Sequence, residues 1–196
     1  MTLGAEVGAR LSYVMGDATS GPWAVSDRPP SGLDRTRGDV YLHPAGDLNT
    51  YIAVCGNRSV AQFIVETFDA AVAVMNEHLA RAPADSAASR VAAQGLRPVS
   101  TSTLQVSQDL SSWLIIEQYD PAEMSWDPAD TGFCSQVTAD STVVADDLEH
   151  EDARLILLLG TYSSELLAMY ESLVHGKPKR FEETWNMGPR VPGRWW

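Results

Sequence analysis

A chain of 196 residues has room for one ordinary domain or two very small ones, and 26 acidic against 14 basic side chains leave it at −12. Hydrophobic residues make up 44%, enough to bury a core, which excludes a wholly disordered polymer. The acidic excess repels nucleic-acid phosphates, which argues against direct nucleic-acid binding by the chain as a whole.

No window approaches eighteen consecutive apolar residues, and Met1 to Glu6 lack a basic stretch followed by an apolar one. Neither a membrane span nor a signal peptide is expected, and the expected location is cytoplasmic. Two isolated cysteines, Cys55 and Cys134, read as reduced, buried thiols, with one bridge still open.

In chain order, Ala9 to Val14 is compatible with a short helix or a strand. Ser20-Gly21-Pro22-Trp23-Ala24-Val25 reads as a strand carrying a tryptophan, followed by short strands at Asp39–His43 and Thr50–Cys55. A long helix then runs from Ser59 to Leu79, with Ile64, Phe68, Ala71, Val72, Met75 and Leu79 on one face. Ser59 and Gln62 form a capping-box pattern at its start. The small-residue stretch from Ala82 to Ser100 reads as a linker. Strands are expected again at Ser111–Ile116, Thr131–Val137 and Ser141–Asp146. A second helix opens at Glu151, with Leu155, Leu159, Tyr162, Leu166, Met169 and Leu173 on one stripe. Its wide apolar surface predicts a central position or a covered interface.

The second set of elements repeats the order of the first, at an offset of 90 residues for Trp23 and Trp113 and 92 for Ala61 and Ala153. The expected fold class is therefore α+β. It consists of two divergent β-β-β-α repeats, antiparallel sheets each covered by one long helix and packed about a pseudo-twofold. The units are 1–81 with its N-terminal extension, a linker at 82–100, an acidic unit at 101–174 and a basic, tryptophan-rich tail at 175–196. Residues 101–171 hold 14 acidic side chains against Arg154 alone, whereas the tail sets five basic residues against Glu182 and Glu183.

Gly21-Pro22-Trp23, Ile52-Ala53-Val54 and Ala61-Gln62-Phe63-Ile64 with Val74-Met75 resemble a module of small accessory proteins found in tailed phages and prophages of GC-rich bacteria. The resemblance covers about 60 residues of the first half and extends faintly over Trp113 to Leu167. It implies a non-catalytic factor that binds a host protein in the host cytoplasm, with no shared catalytic residues.

The chain lacks the nucleophile-elbow, phosphate-loop, dinucleotide and zinc-protease signatures, so no enzyme, cofactor or metal site is expected. His43, His78, His150 and His175 are too far apart for local ligand spacing. The run Asp146-Asp147-Leu148-Glu149-His150-Glu151-Asp152 has three readings: complementing the dipole of the helix it precedes, holding a divalent cation, or forming a protein-contact face with Asp127, Asp130 and Asp140. On the third reading Asp146, Asp147, Glu149, Glu151 and Asp152 touch the partner. That partner is a host protein, for example a nucleic-acid-binding one whose basic groove accepts acidic groups. The tail carries Trp185, Trp195 and Trp196 among its basic residues and is expected to dock, either on the acidic unit or on a partner. A homodimer is also compatible. The competing function is a small-ligand sponge for nucleotide-like molecules, with Trp23, Tyr41, Trp113 and Arg154 lining a pocket between repeats or subunits.

Overall fold

The computed structural model describes residues 5–19, 21–30, 39–79, 96–119 and 133–175. They form an α+β fold with one antiparallel sheet and five helices. The strands are β1 (Trp23–Ser26), β2 (Val40–Pro44), β3 (Ala53–Cys55), β4 (Leu114–Tyr119), β5 (Phe133–Ala139) and β6 (Thr142–Leu148). The helices are α1 (Ala5–Asp17), α2 (Arg58–Leu79), α3 (Thr101–Asp109), α4 (His150–Thr161) and α5 (Ser163–Val174).

Two expected sheets are in fact one. The order across it is β1-β2-β3-β6-β5-β4, and β3 pairs β6 antiparallel with Val54 opposite Asp146. Each meander alone would leave an edge of unpaired backbone groups, and joining at β3 and β6 satisfies both edges at once.

Alternation sorts the strand residues by face. Trp23, Val25, Val40, Leu42, Ala53, Cys55, Ile115, Val137, Ala145 and Leu148 look toward the helices and join one core with Leu11, Phe63, Ile64, Phe68, Leu155, Ile156 and Leu159. The central helix is α2, where the pattern had pointed to the second apolar helix. One side of α2 lies on β1, β2, β3 and β6, while Ala70 and Val74 pack against Leu167, Met169 and Tyr170 of α5. Two apolar faces explain why Ala61, Phe63, Ala70 and Val74 are buried along with the anticipated stripe.

The start of α2 is capped by Asn57, whose Oδ1 accepts from the Val60 amide at 2.9 Å, and the Gln62 amide reaches Glu66 instead of turning back. The helix thus starts one residue earlier than expected, at Arg58, and Asn57, as good a cap as serine, replaces the expected capping box at Ser59. The second apolar stripe is also broken, into α4 and α5, at Tyr162 (φ −105°, ψ 12°). Gly160, Thr161, Ser163 and Ser164 are weak helix formers, and the Thr161 hydroxyl bonds back to the Leu157 carbonyl at 2.7 Å.

Residues 96–100 lead into α3, a helix not anticipated next to the linker. Its N-cap is Ser100, whose side chain accepts from the Thr103 amide and whose own amide donates to Glu66 of α2 at 2.8 Å. The helices exchange neighbours between halves of the sheet: α1 packs on α4, and α3 packs on α2.

Candidate functional site

The acidic run is split by the corner between β6 and α4. Asp146 stands on the side of the sheet away from the helices, in register with Val54, Tyr41 and Ser26 across four strands. Asp147 has φ 56°, and the pairing around it slips: two steps on β5, from Ser135 to Val137, match three on β6. This is a β-bulge with an aspartate in the left-handed position, where a short polar side chain is tolerated through local bonding. The Asp147 amide donates to Asp146 Oδ1 at 2.9 Å, and the Tyr51 hydroxyl donates to the Asp147 carboxylate. Tyr51 in turn stands edge-on to Tyr41, with ring centroids 6.3 Å apart.

The remaining acids of the run belong to α4. Glu149 is exposed at its N-cap position, and Glu151 pairs with Arg154 at 3.3 Å. Asp152 is only 2% exposed: one carboxylate oxygen accepts from the Thr19 amide and the other from the Thr19 hydroxyl, both at 2.7 Å. A contact role for Asp152 is therefore corrected to a structural one, tying the end of α1 to the first turn of α4. Glu149 and Glu151 sit around the corner from Asp146, so the run does not make one continuous surface. Trp185, Trp195, Trp196, Asp127 and Asp130 lie outside the described residues.

The side of the β4-β5-β6 half away from the described helices carries an apolar row that the sequence reading missed. Leu114 (61% exposed), Thr138 and Val143 (44%) are in register, and Ile116 (44%) lies one step along, opposite Gln136. Three consecutive apolar residues, Leu114-Ile115-Ile116, show no alternation from which the outward pair could be told apart; only the pairing turns Ile115 inward and its two neighbours outward. Asp140 flanks the row at the β5–β6 turn and Asp146 flanks it along β6, each three residues in sequence from Val143. Two hydrogen bonds from Ser111, through its hydroxyl and its amide, hold the Asp140 carboxyl below its ordinary value and so charged at neutral pH. Cys134 shares this outer side, since it is in register with Gln118, two residues from Ile116.

The residues proposed to line a ligand pocket do not converge. Trp23 stacks on Phe68 at 4.4 Å and Trp113 on Phe63 at 5.8 Å, both on the helix side, whereas Tyr41 is on the opposite side and Arg154 is engaged with Glu151. The histidines are also dispersed. His43 is buried with Nδ1 on the Pro44 carbonyl, His150 pairs with Glu117 at 3.4 Å and His175 with Glu171 at 2.9 Å. Among the described residues no group of three or more histidine, cysteine or carboxylate side chains could hold a metal ion, and no helix is long and apolar enough to cross a membrane. Cys55 and Cys134 form no disulfide, and burial pushes the Cys55 thiol up to about 12.

Fold and site together define an α+β protein with one sheet face covered by helices and part of the other presenting apolar side chains between carboxylates. Comparison with protein-family models, with curated proteins and with solved structures finds no match to the chain.

Proposed function

We propose that this is a non-catalytic, phage-type binding protein that engages a basic host protein through the outer face of β4, β5 and β6. The observation that carries the reading is the exposed row of Leu114, Ile116 and Val143 set between Asp140 and Asp146. Apolar side chains left half-exposed on a sheet face forgo part of the stabilisation that burial gives, and a partner that covers them recovers it, at most about 1.5–3 kcal/mol for each. Flanking carboxylates select a partner bearing Arg or Lys and speed its approach. A basic, nucleic-acid-binding host protein has that chemistry.

The two-copy origin belongs to the same proposal. A helix, three strands and a helix occur in that order twice, and the strand order reads the same from either edge. On this view the second copy gained an open, acid-flanked face, while in the first copy Tyr51 folds over Tyr41.

The test is capture from a bacterial lysate with the tagged full chain, its Leu114→Lys and Ile116→Lys variants, and Tyr13→Lys as a control at an exposed residue of α1. A specific partner retained by the parent and by Tyr13→Lys but lost by both face variants supports the reading. A partner retained equally by all four proteins sinks it.

A further inference from the structure

We infer that in the free chain the face bearing Leu114, Ile116 and Val143 is occupied by residues 176–196 of the same molecule, which a partner must displace. The inference rests on the reading of this face as a docking surface and adds its occupant. Three observations select that occupant.

The first is charge. Residues 101–171 contain one basic side chain, Arg154, and it is committed to Glu151, so this stretch supplies no further cation to balance Asp140 and Asp146. Residues 176–196 hold Lys177, Lys179, Arg180, Arg190 and Arg194 against Glu182 and Glu183, and no other stretch of comparable length is as basic. Opposite charges brought together in a partly desolvated site attract far more than in bulk water.

The second is chemistry. The same stretch carries Trp185, Trp195 and Trp196, whose large apolar area is costly to leave in water. The exposed aliphatic row is the complementary surface. A second copy of the chain would instead bring a further −12 against a −12 molecule, with its own carboxylates facing those beside Val143.

The third is reach. The described residues stop at His175, just beyond α5, leaving 21 residues to the end of the sequence. That length spans up to roughly 70 Å when extended. A folded chain of this size is only about 40 Å across. Residues 185–196 can therefore round the edge of the sheet from the helix layer.

Cys134 provides a native probe on this face, because it is partly exposed whereas Cys55 is buried out of reach of a reagent. Bimane attached to Cys134 of the full chain is quenched by nearby tryptophan. The expected result is loss of that quenching in Trp195→Ala/Trp196→Ala, loss on raising salt, and no dependence on protein concentration. Ile116→Lys, altering the face instead of the tail, should release the same quenching and keeps the test valid if the tail variant is unstable. Emission that is unchanged in both variants overturns the inference. Quenching that disappears on dilution also overturns it, by assigning the occupant to a second molecule. Neither outcome touches the lysate experiment, in which failure of the face variants to lose a partner would reject the docking reading alone.

Discussion

The indole of Trp113 lies directly on Gly160, where a Cβ would come within 2.3 Å of the ring. Trp113 cannot simply withdraw, because its other neighbour is the ring of Phe63, stacked at 5.8 Å. Strand, central helix and α4 are thus keyed together at one point where the sheet layer meets the helix layer. Gly160→Ala would gain about 1 kcal/mol of helix propensity. Overpacking of a fitted core costs about 1–3 kcal/mol, so the net expectation is a less stable protein. Urea denaturation should show a lower midpoint for Gly160→Ala and a recovery in the double variant Gly160→Ala/Trp113→Leu relative to the sum of the singles.

Asp152 is the acidic residue whose loss should hurt folding most. Its carboxylate meets two donors on Thr19, and its removal leaves both without their partner. Asp152→Ala is expected to cost about 2–3 kcal/mol, and Thr19→Val a smaller amount because only the hydroxyl bond is lost. Thermal unfolding of both variants measures this. Partner capture by Asp152→Ala, at a temperature where it remains folded, should equal that of the parent.

The β5–β6 hairpin closes through Asp140 and Ser141, at φ 49° and 64°. Two successive positive φ values are the signature of a type I′ turn, which matches strand twist and favours glycine at its second central residue. Asp140 is retained there by its bonds to Ser111, but among the described residues no such bond holds Ser141. Ser141→Gly should therefore stabilise the protein by up to about 1 kcal/mol, read as a raised urea midpoint with an unchanged slope.

Asp69, an exposed residue of α2, has its carboxyl pushed up to about 6, chiefly because neighbouring protein displaces part of its water and secondly because Glu66 is close, against an opposing pull from Arg97. The folded state then holds a proton more tightly than the unfolded chain, whose value is near 3.8. Stability from this group is complete below about pH 3.8 and is lost as pH rises through about 6. Asp69→Asn removes that loss. Its melting temperature should exceed the parent's at pH 7.5 and converge with it near pH 4.

Much of the fold was legible before any coordinates. The spacing of Ile64, Phe68, Val72 and Met75 marked α2, the turn residues and β-branched runs marked six strands within a few residues, and each half was read as three strands followed by a helix. Local chemistry also placed Glu151 and Asp152 in the first turn of a helix. The helix α3 escaped because its face is weakly apolar, with Thr103 and Ser107 as its buried residues. A polar buried face has no periodic hydrophobic signal to read.

Local pattern thus sufficed for what depends on neighbours in the chain: element type, approximate ends, and the concentration of charge in residues 101–171. It could not determine which strands share an edge, which helix becomes central, or which acids of one run face water. Those depend on pairs far apart in sequence, such as Val54 with Asp146, Thr19 with Asp152 and Tyr51 with Asp147. The corner between β6 and α4 turns adjacent residues to opposite sides of the sheet. A seven-residue acidic run consequently became one buried clamp, one bulge and a rim, and the exposed apolar row falls instead at Leu114, Ile116 and Val143, where composition alone offered no sign of it.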